Sequence, residues 1–268
     1  MRRFLVVVVV LSMSMALTTV AGAIGNGTPS TDDRVGALFA AVHIPDGSVD
    51  GPFMVCSGSQ ASDDVFLTAG HCLAWTAGLP PGFGVSWYVT FADQAFDPTN
   101  GGPVAPLIAA DSAAWDPGFG HDRANLRDYG VVLFEEGTLP GPYVDIAGPG
   151  MLDRMKANNE LKGKLFDLVG YGTHPEHKEG PPRFFDDGLR YETQAPFKAL
   201  NQNWLRLHEN PDATGLGGAC FGDSGSPILV GNTAVAVTTG GTPICRSDAF
   251  NQRLDTPDAQ AFLAQFLP

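Results

Sequence analysis

Positive charge is scarce in this 268-residue chain: 16 Lys and Arg face 29 Asp and Glu, a formal net charge of −13. A surface of that sign repels phosphate backbones and anionic headgroups, which sets aside nucleic acid and charged membranes as partners. Cysteine is scarce too. The four present, Cys56, Cys72, Cys220 and Cys245, include no C-x-x-C pair, which argues against a zinc knuckle. Beyond the N-terminal segment no run is long and apolar enough to span a bilayer. Long helices are not favoured either, because 33 Gly and 21 Pro mark frequent turns, and many short strands joined by turns suit that load better.

Hydrophobic residues make up 44% of the chain and charged ones 17%, enough apolar material for one large domain or two small ones. The start reads as an export signal: Arg2 and Arg3, a mostly apolar stretch from Phe4 to Val20, then Ala21-Gly22-Ala23 in the small-x-small pattern of a cleavage site. A signal anchor is the competing reading, but no basic stop-transfer cluster follows. Residues 1–23 are therefore expected to be removed and a secreted chain to begin near Ile24. Export favours disulfides for an even cysteine count. Three pairings are open, of which local pairs, Cys56 with Cys72 and Cys220 with Cys245, are the simplest.

Short apolar or alternating runs at Ala37–Ile44, Phe53–Ser57, Asp64–Thr68, Ser86–Phe91 and Gly130–Phe134 predict strands, with long loops between Ala92 and Arg127. The Gly- and Pro-rich stretch Glu136–Gly150 suggests a linker, dividing the chain into halves at 24–137 and 138–268. Strand signals resume at Lys164–Tyr171, Arg190–Ala195, Pro227–Val230 and Thr233–Thr239, around a polar loop at His174–Asp187. A helix closes the chain, with Thr256 as cap, Pro257 at its first position and Ala259, Phe262, Leu263, Phe266 and Leu267 on one face.

A serine hydroxyl becomes a useful nucleophile only when an imidazole takes its proton, and the imidazole needs a carboxylate to hold its tautomer. Ser224 lies in Gly218-Ala219-Cys220-Phe221-Gly222-Asp223-Ser224-Gly225-Ser226-Pro227, where small residues permit a tight turn that presents the N–H groups of Gly222 and Ser224 to a developing oxyanion. His71 ends the run Val65-Phe66-Leu67-Thr68-Ala69-Gly70-His71-Cys72, with a cysteine to anchor it; His43, His121, His174, His177 and His208 lack such a frame. Asp128 opens the buried run Tyr129–Phe134, unlike its rivals Asp111, Asp116 and Asp122. His174 and His177, with Glu176 and Glu179, have metal-ligand spacing, but a solvated loop is the preferred reading and no metal is expected.

These three segments resemble the signature segments of the trypsin-like (chymotrypsin-type) serine proteases, in the family's order His, Asp, Ser, with spacings of 57 and 96 residues. The resemblance implies an all-β fold of two packed six-stranded antiparallel Greek-key barrels with a C-terminal α-helix. It implies a secreted endopeptidase acting on protein or peptide substrates through His71, Asp128 and Ser224 and an acyl-enzyme, without a cofactor. The two local cysteine pairs match bridges common in the family. Ile24-Gly25-Asn26-Gly27 looks like the family's mature N-terminus, which implies that a free Ile24 amine pairs with Asp223.

Departures from the pattern are equally informative. Gly218 stands where trypsins place a pocket aspartate, and Thr238-Thr239-Gly240 replaces a Ser-Trp-Gly wall. A neutral pocket bounded by Gly218, Thr239 and Gly240 is thus expected, with Asp248 near the far wall as a candidate charge. A non-catalytic homologue that only binds a partner is the alternative, although such proteins typically lose a triad residue. An α/β-hydrolase is disfavoured, because Ser226 occupies the position of the second elbow glycine and the triad order differs.

Overall fold

Residues 24–176 and 183–267 are described in a computed structural model. The expected signal, residues 1–23, and His177 and Glu179 lie outside them. The chain is built mainly from short antiparallel strands in two rings. Pairing closes the second completely, whereas the first is a half-barrel whose two end strands do not pair with each other. The chymotrypsin-like architecture is as the sequence implied.

In the first ring, Val35–His43 pairs with Val49–Gln60 and with Gly84–Thr90, and Val49–Gln60 leads through Val65–Thr68 to Gly130–Leu133. One bent segment bridges the remaining gap: Ile108–Ala109 pairs with Gly84–Thr90, and two residues later Ser112–Trp115 pairs with Gly130–Leu133. Sequence reasoning assigned that segment to a loop. Its Ala, Ser and Asp content carries little strand propensity, and pairing on both sides overrides it. In the second ring the order is Leu165–Gly170, Tyr191–Leu200, Trp204–His208, Asp248–Arg253, Thr233–Gly241 and Pro227–Val230, which pairs back onto Leu165–Gly170. Trp204–His208 and Asp248–Arg253 had not been expected as strands, nor had the short helix Met151–Ala157.

The predicted terminal helix spans Pro257–Leu263, with the Thr256 hydroxyl accepting the Ala259 N–H at 3.3 Å. It buries Phe262 against Tyr129 of the first ring, 5.8 Å between ring centres. The two rings share a core in which Val65, Leu67 and Val131 meet Val169, Leu229 and Val237. Arg190 adds a polar lock. Its fully buried guanidinium, rooted in the second half, donates to the carbonyls of Val35 and Phe91 and to the carboxylates of Asp33 and Asp93 in the first half. The loop expected at His174–Asp187 is partly a hairpin, His174–Glu176 against Arg183–Phe185, and His174 is buried and stacked on Phe185 rather than solvated.

Candidate active site

Strand register brings the first two candidate residues together. Thr68 lies opposite Gly130, and Leu67 opposite Val131, in the pair Val65–Thr68 and Gly130–Leu133. Residues just after Thr68 and just before Gly130 must therefore emerge at the same end. His71 follows the tight turn Ala69-Gly70 and opens the short helix His71–Ala74. Asp128 is completely buried, and its two carboxylate oxygens accept the His71 main-chain N–H at 2.7 Å and face Nδ1 at 2.8 Å. The double contact fixes both the backbone of His71 and the Nδ1 edge of its ring, while Nε2 on the other edge lies 3.8 Å from the Cys72 sulfur. Cys56 and Cys72 form a disulfide beside this ring. Their sulfurs are bonded to each other and offer no thiolate to a metal. The rival acids are occupied elsewhere: Asp116 pairs with Arg127 at 3.0 Å, and Asp122 accepts the Ala124 N–H of its own turn.

The Ser224 loop arrives from the second half and is docked on the first. Ser57, next to Cys56 and fully buried, is the anchor, and sequence reasoning missed it. Its N–H donates to the Ser224 carbonyl at 2.9 Å, and its hydroxyl donates to the Gly222 carbonyl at 2.9 Å. That hydroxyl also accepts the Tyr171 N–H at 3.1 Å. Gly225 has φ +81°, and a Cβ there would run into Thr68 and the Ser57 carbonyl, so only glycine permits the approach. Gly222 has φ +97° for the same kind of turn. Among the described residues, the N–H groups of Gly222 and Ser224 donate to no protein acceptor. Ser224 Oγ makes no hydrogen bond to His71.

Asp223 is fully buried, and its carboxylate accepts the N–H groups of Gly172 and Cys220, each at 2.8 Å. No cation reaches it among the described residues. Burial pushes its pKa up to about 7, and the two N–H groups offset only part of that. Ile24 is buried completely, and the Gly25 carbonyl accepts the Gly218 N–H at 3.0 Å. In the uncut chain no ion pair joins Ile24 to Asp223.

A cavity of about 320 Å³ opens beside Ser224, lined by Thr239, Gly240, Thr242, Ala219 and the Cys220–Cys245 disulfide. Gly218, expected in the pocket, is not part of this lining, and the Glu209 side chain fills the space a side chain at 218 would take. Glu209 is 3% exposed; one carboxylate oxygen accepts the Ala219 N–H at 3.0 Å, and the other has no partner. Burial, with the nearby Asp223 and Asp248, raises its pKa well above the usual range. Asp248 plays a different part from the one expected. Burial opposes its ionisation, but Lys198 and Arg206 both grip its carboxylate and hold its pKa below the ordinary value. Glu209 carried no sequence signal: it follows a strand nine residues before Gly218, in no motif.

A closed antiparallel barrel packed on a half-barrel, with an imidazole on one and a serine loop on the other, defines the chymotrypsin class of fold. The trypsin family model matches residues 27–256, and the chain belongs to that family of serine proteases. Solved structures agree on the fold. One described as HL collagenase is 15% identical, covers 90% of this chain and 97% of its own, and has a TM-score of 0.58. Human heparin binding protein is 13% identical, with 90% and 95% covered and a TM-score of 0.59. No curated protein matches.

Proposed function

We propose that the protein is a secreted serine endopeptidase, cleaved after Ala23 and acting through an acyl-enzyme. Ser224 attacks the peptide carbonyl and His71 takes its proton. Asp128 holds the imidazole in the tautomer that leaves Nε2 unprotonated, and the Gly222 and Ser224 N–H groups receive the oxyanion. His71 then delivers the proton to the leaving amine, and water repeats the sequence to release the acid. The two-point grip of Asp128 on His71 carries this reading, supported by two unpaired N–H groups beside the serine. The cavity next to Ser224 would take the side chain on the acyl side of the cleaved bond.

A binding-only homologue is favoured by one observation, the missing Ser224–His71 hydrogen bond. Such contacts tighten in the substrate complex, so a gap in the free protein does not disable the pair. The two readings separate on treatment with an organophosphonate probe and a peptide library. The endopeptidase reading expects labelling and turnover that vanish in Ser224→Ala, and a fall of about 10⁴-fold in Asp128→Asn. A folded wild-type chain that neither labels nor cleaves would sink it.

A further inference from the structure

A second cavity, about 460 Å³, continues from the first along the same strand. It shares Thr239, Gly240 and Gly241 with the Ser224 cavity and adds Arg123, Arg206, Trp204, Phe250 and Leu126. Along one edge the strand Thr233–Gly241 pairs with Asp248–Arg253. Along the other, Pro227–Val230 accompanies it only to Val237, and Thr238 bonds to Ser226 and Gly225. Among the described residues, Thr239–Gly241 has no strand neighbour on that edge, so an extended peptide can lie there with alternate side chains entering the two cavities.

The lining is cationic in a chain that is strongly acidic. Arg206 lies over the Phe250 ring, 4.7 Å from its centre, and Trp204 meets Phe250 edge-on at 6.4 Å. Lys198 and Arg206 share a single carboxylate, that of Asp248. Arg123 is exposed and has no hydrogen bond or ion pair among the described residues. Its neighbour Asp122 is turned to the Ala124 N–H. The loop that carries Arg123 is held in place from the second half: Trp204 Nε1 and Asn203 Nδ2 both donate to the Ala124 carbonyl, at 3.1 and 3.0 Å. A guanidinium with no partner is thus kept at the mouth of an aromatic-lined hollow with a surplus of positive charge.

We infer that this cavity is a substrate subsite for an acidic side chain, Asp or Glu, lying two to four residues before the cleaved bond, with Arg123 as its specificity-determining cation. A planar guanidinium receives a carboxylate through paired N–H donors, and the aromatic walls shield the contact from water. The inference rests on the proposed peptidase reading for the direction of the substrate, but its binding chemistry does not need turnover.

The test uses a peptide series with Glu, Gln or Lys at the second, third and fourth positions before the cleaved bond, all else held constant. Binding is measured on Ser224→Ala and cleavage on the Ser224 protein. Glu is expected to exceed Gln by about three- to ten-fold at one of these positions, a margin that shrinks in salt and is lost in Arg123→Gln. Arg123-dependent tighter binding without cleavage would uphold the subsite and overturn the peptidase reading. Cleavage with no Glu preference, or with one that survives Arg123→Gln, would overturn the subsite alone.

Discussion

The Ser57 hydroxyl donates to the main-chain carbonyl of Gly222 at 2.9 Å, tying the turn that precedes Ser224 to the opposite ring. Without that bond the turn at Gly222 loses an anchor on its carbonyl side, and the preceding Phe221–Gly222 peptide, whose N–H faces the proposed oxyanion, keeps only the Thr173 N–H on the Phe221 carbonyl to hold it. Ser57→Ala is therefore expected to lower kcat by about ten-fold or more while KM changes little, since the loss falls on the transition state. A purely structural role for Ser57 would shift melting temperature and leave kcat intact.

The Glu209–Gly218 contact makes the pocket base resist a trypsin-like substitution. Gly218→Ala, the smallest test, is expected to destabilise the fold by about 1–3 kcal/mol, because the added methyl must displace the Glu209 stem. Pairing it with Glu209→Gly should recover much of that loss. Thermal melts of the single and double variants measure it, and additive losses in the double variant would show that the two residues do not compete for space.

Asp223 supplies a pH signature for the state of the N-terminus. Its ordinary pKa of 3.8 is raised to about 7 in the folded, uncut chain. Between those values the folded form holds a proton that the unfolded form has released. The contribution of Asp223 to stability is therefore greatest below about pH 4 and falls as pH rises towards about 7. A free Ile24 amine would give the carboxylate a cation and flatten this slope. Melting temperatures across that range are expected to fall more steeply for protein retaining Ala23 than for protein beginning at Ile24. Parallel curves would refute the ion pair.

Much of the candidate site was legible because its chemistry is written locally. His71 and Ser224 each sit in a short run of small residues whose turn geometry follows from glycine, and a disulfide-bonded cysteine adjoins each turn. Asp128 was legible from the buried strand it opens. Glu209 and Ser57 were not, because each acts on a segment from elsewhere in the fold: Glu209 across a strand end, Ser57 across the junction of the rings. The same limit explains Trp204–His208 and the bent closure at 108–115, where ring formation rather than side-chain pattern decides the conformation. Asp248 was placed near the pocket by spacing alone, which could not reveal that Lys198 and Arg206 consume its charge.

Arg190 has a consequence for survival. Apart from the Tyr171 hydroxyl, its partners belong to the opposite half, so the two halves cannot separate without stranding a buried cation and the carbonyls of Val35 and Phe91. Partly open forms are thereby made scarce, and the chain is expected to come apart all at once or not at all. Because partly opened forms are what a protease cuts, their scarcity would protect the chain from proteolysis.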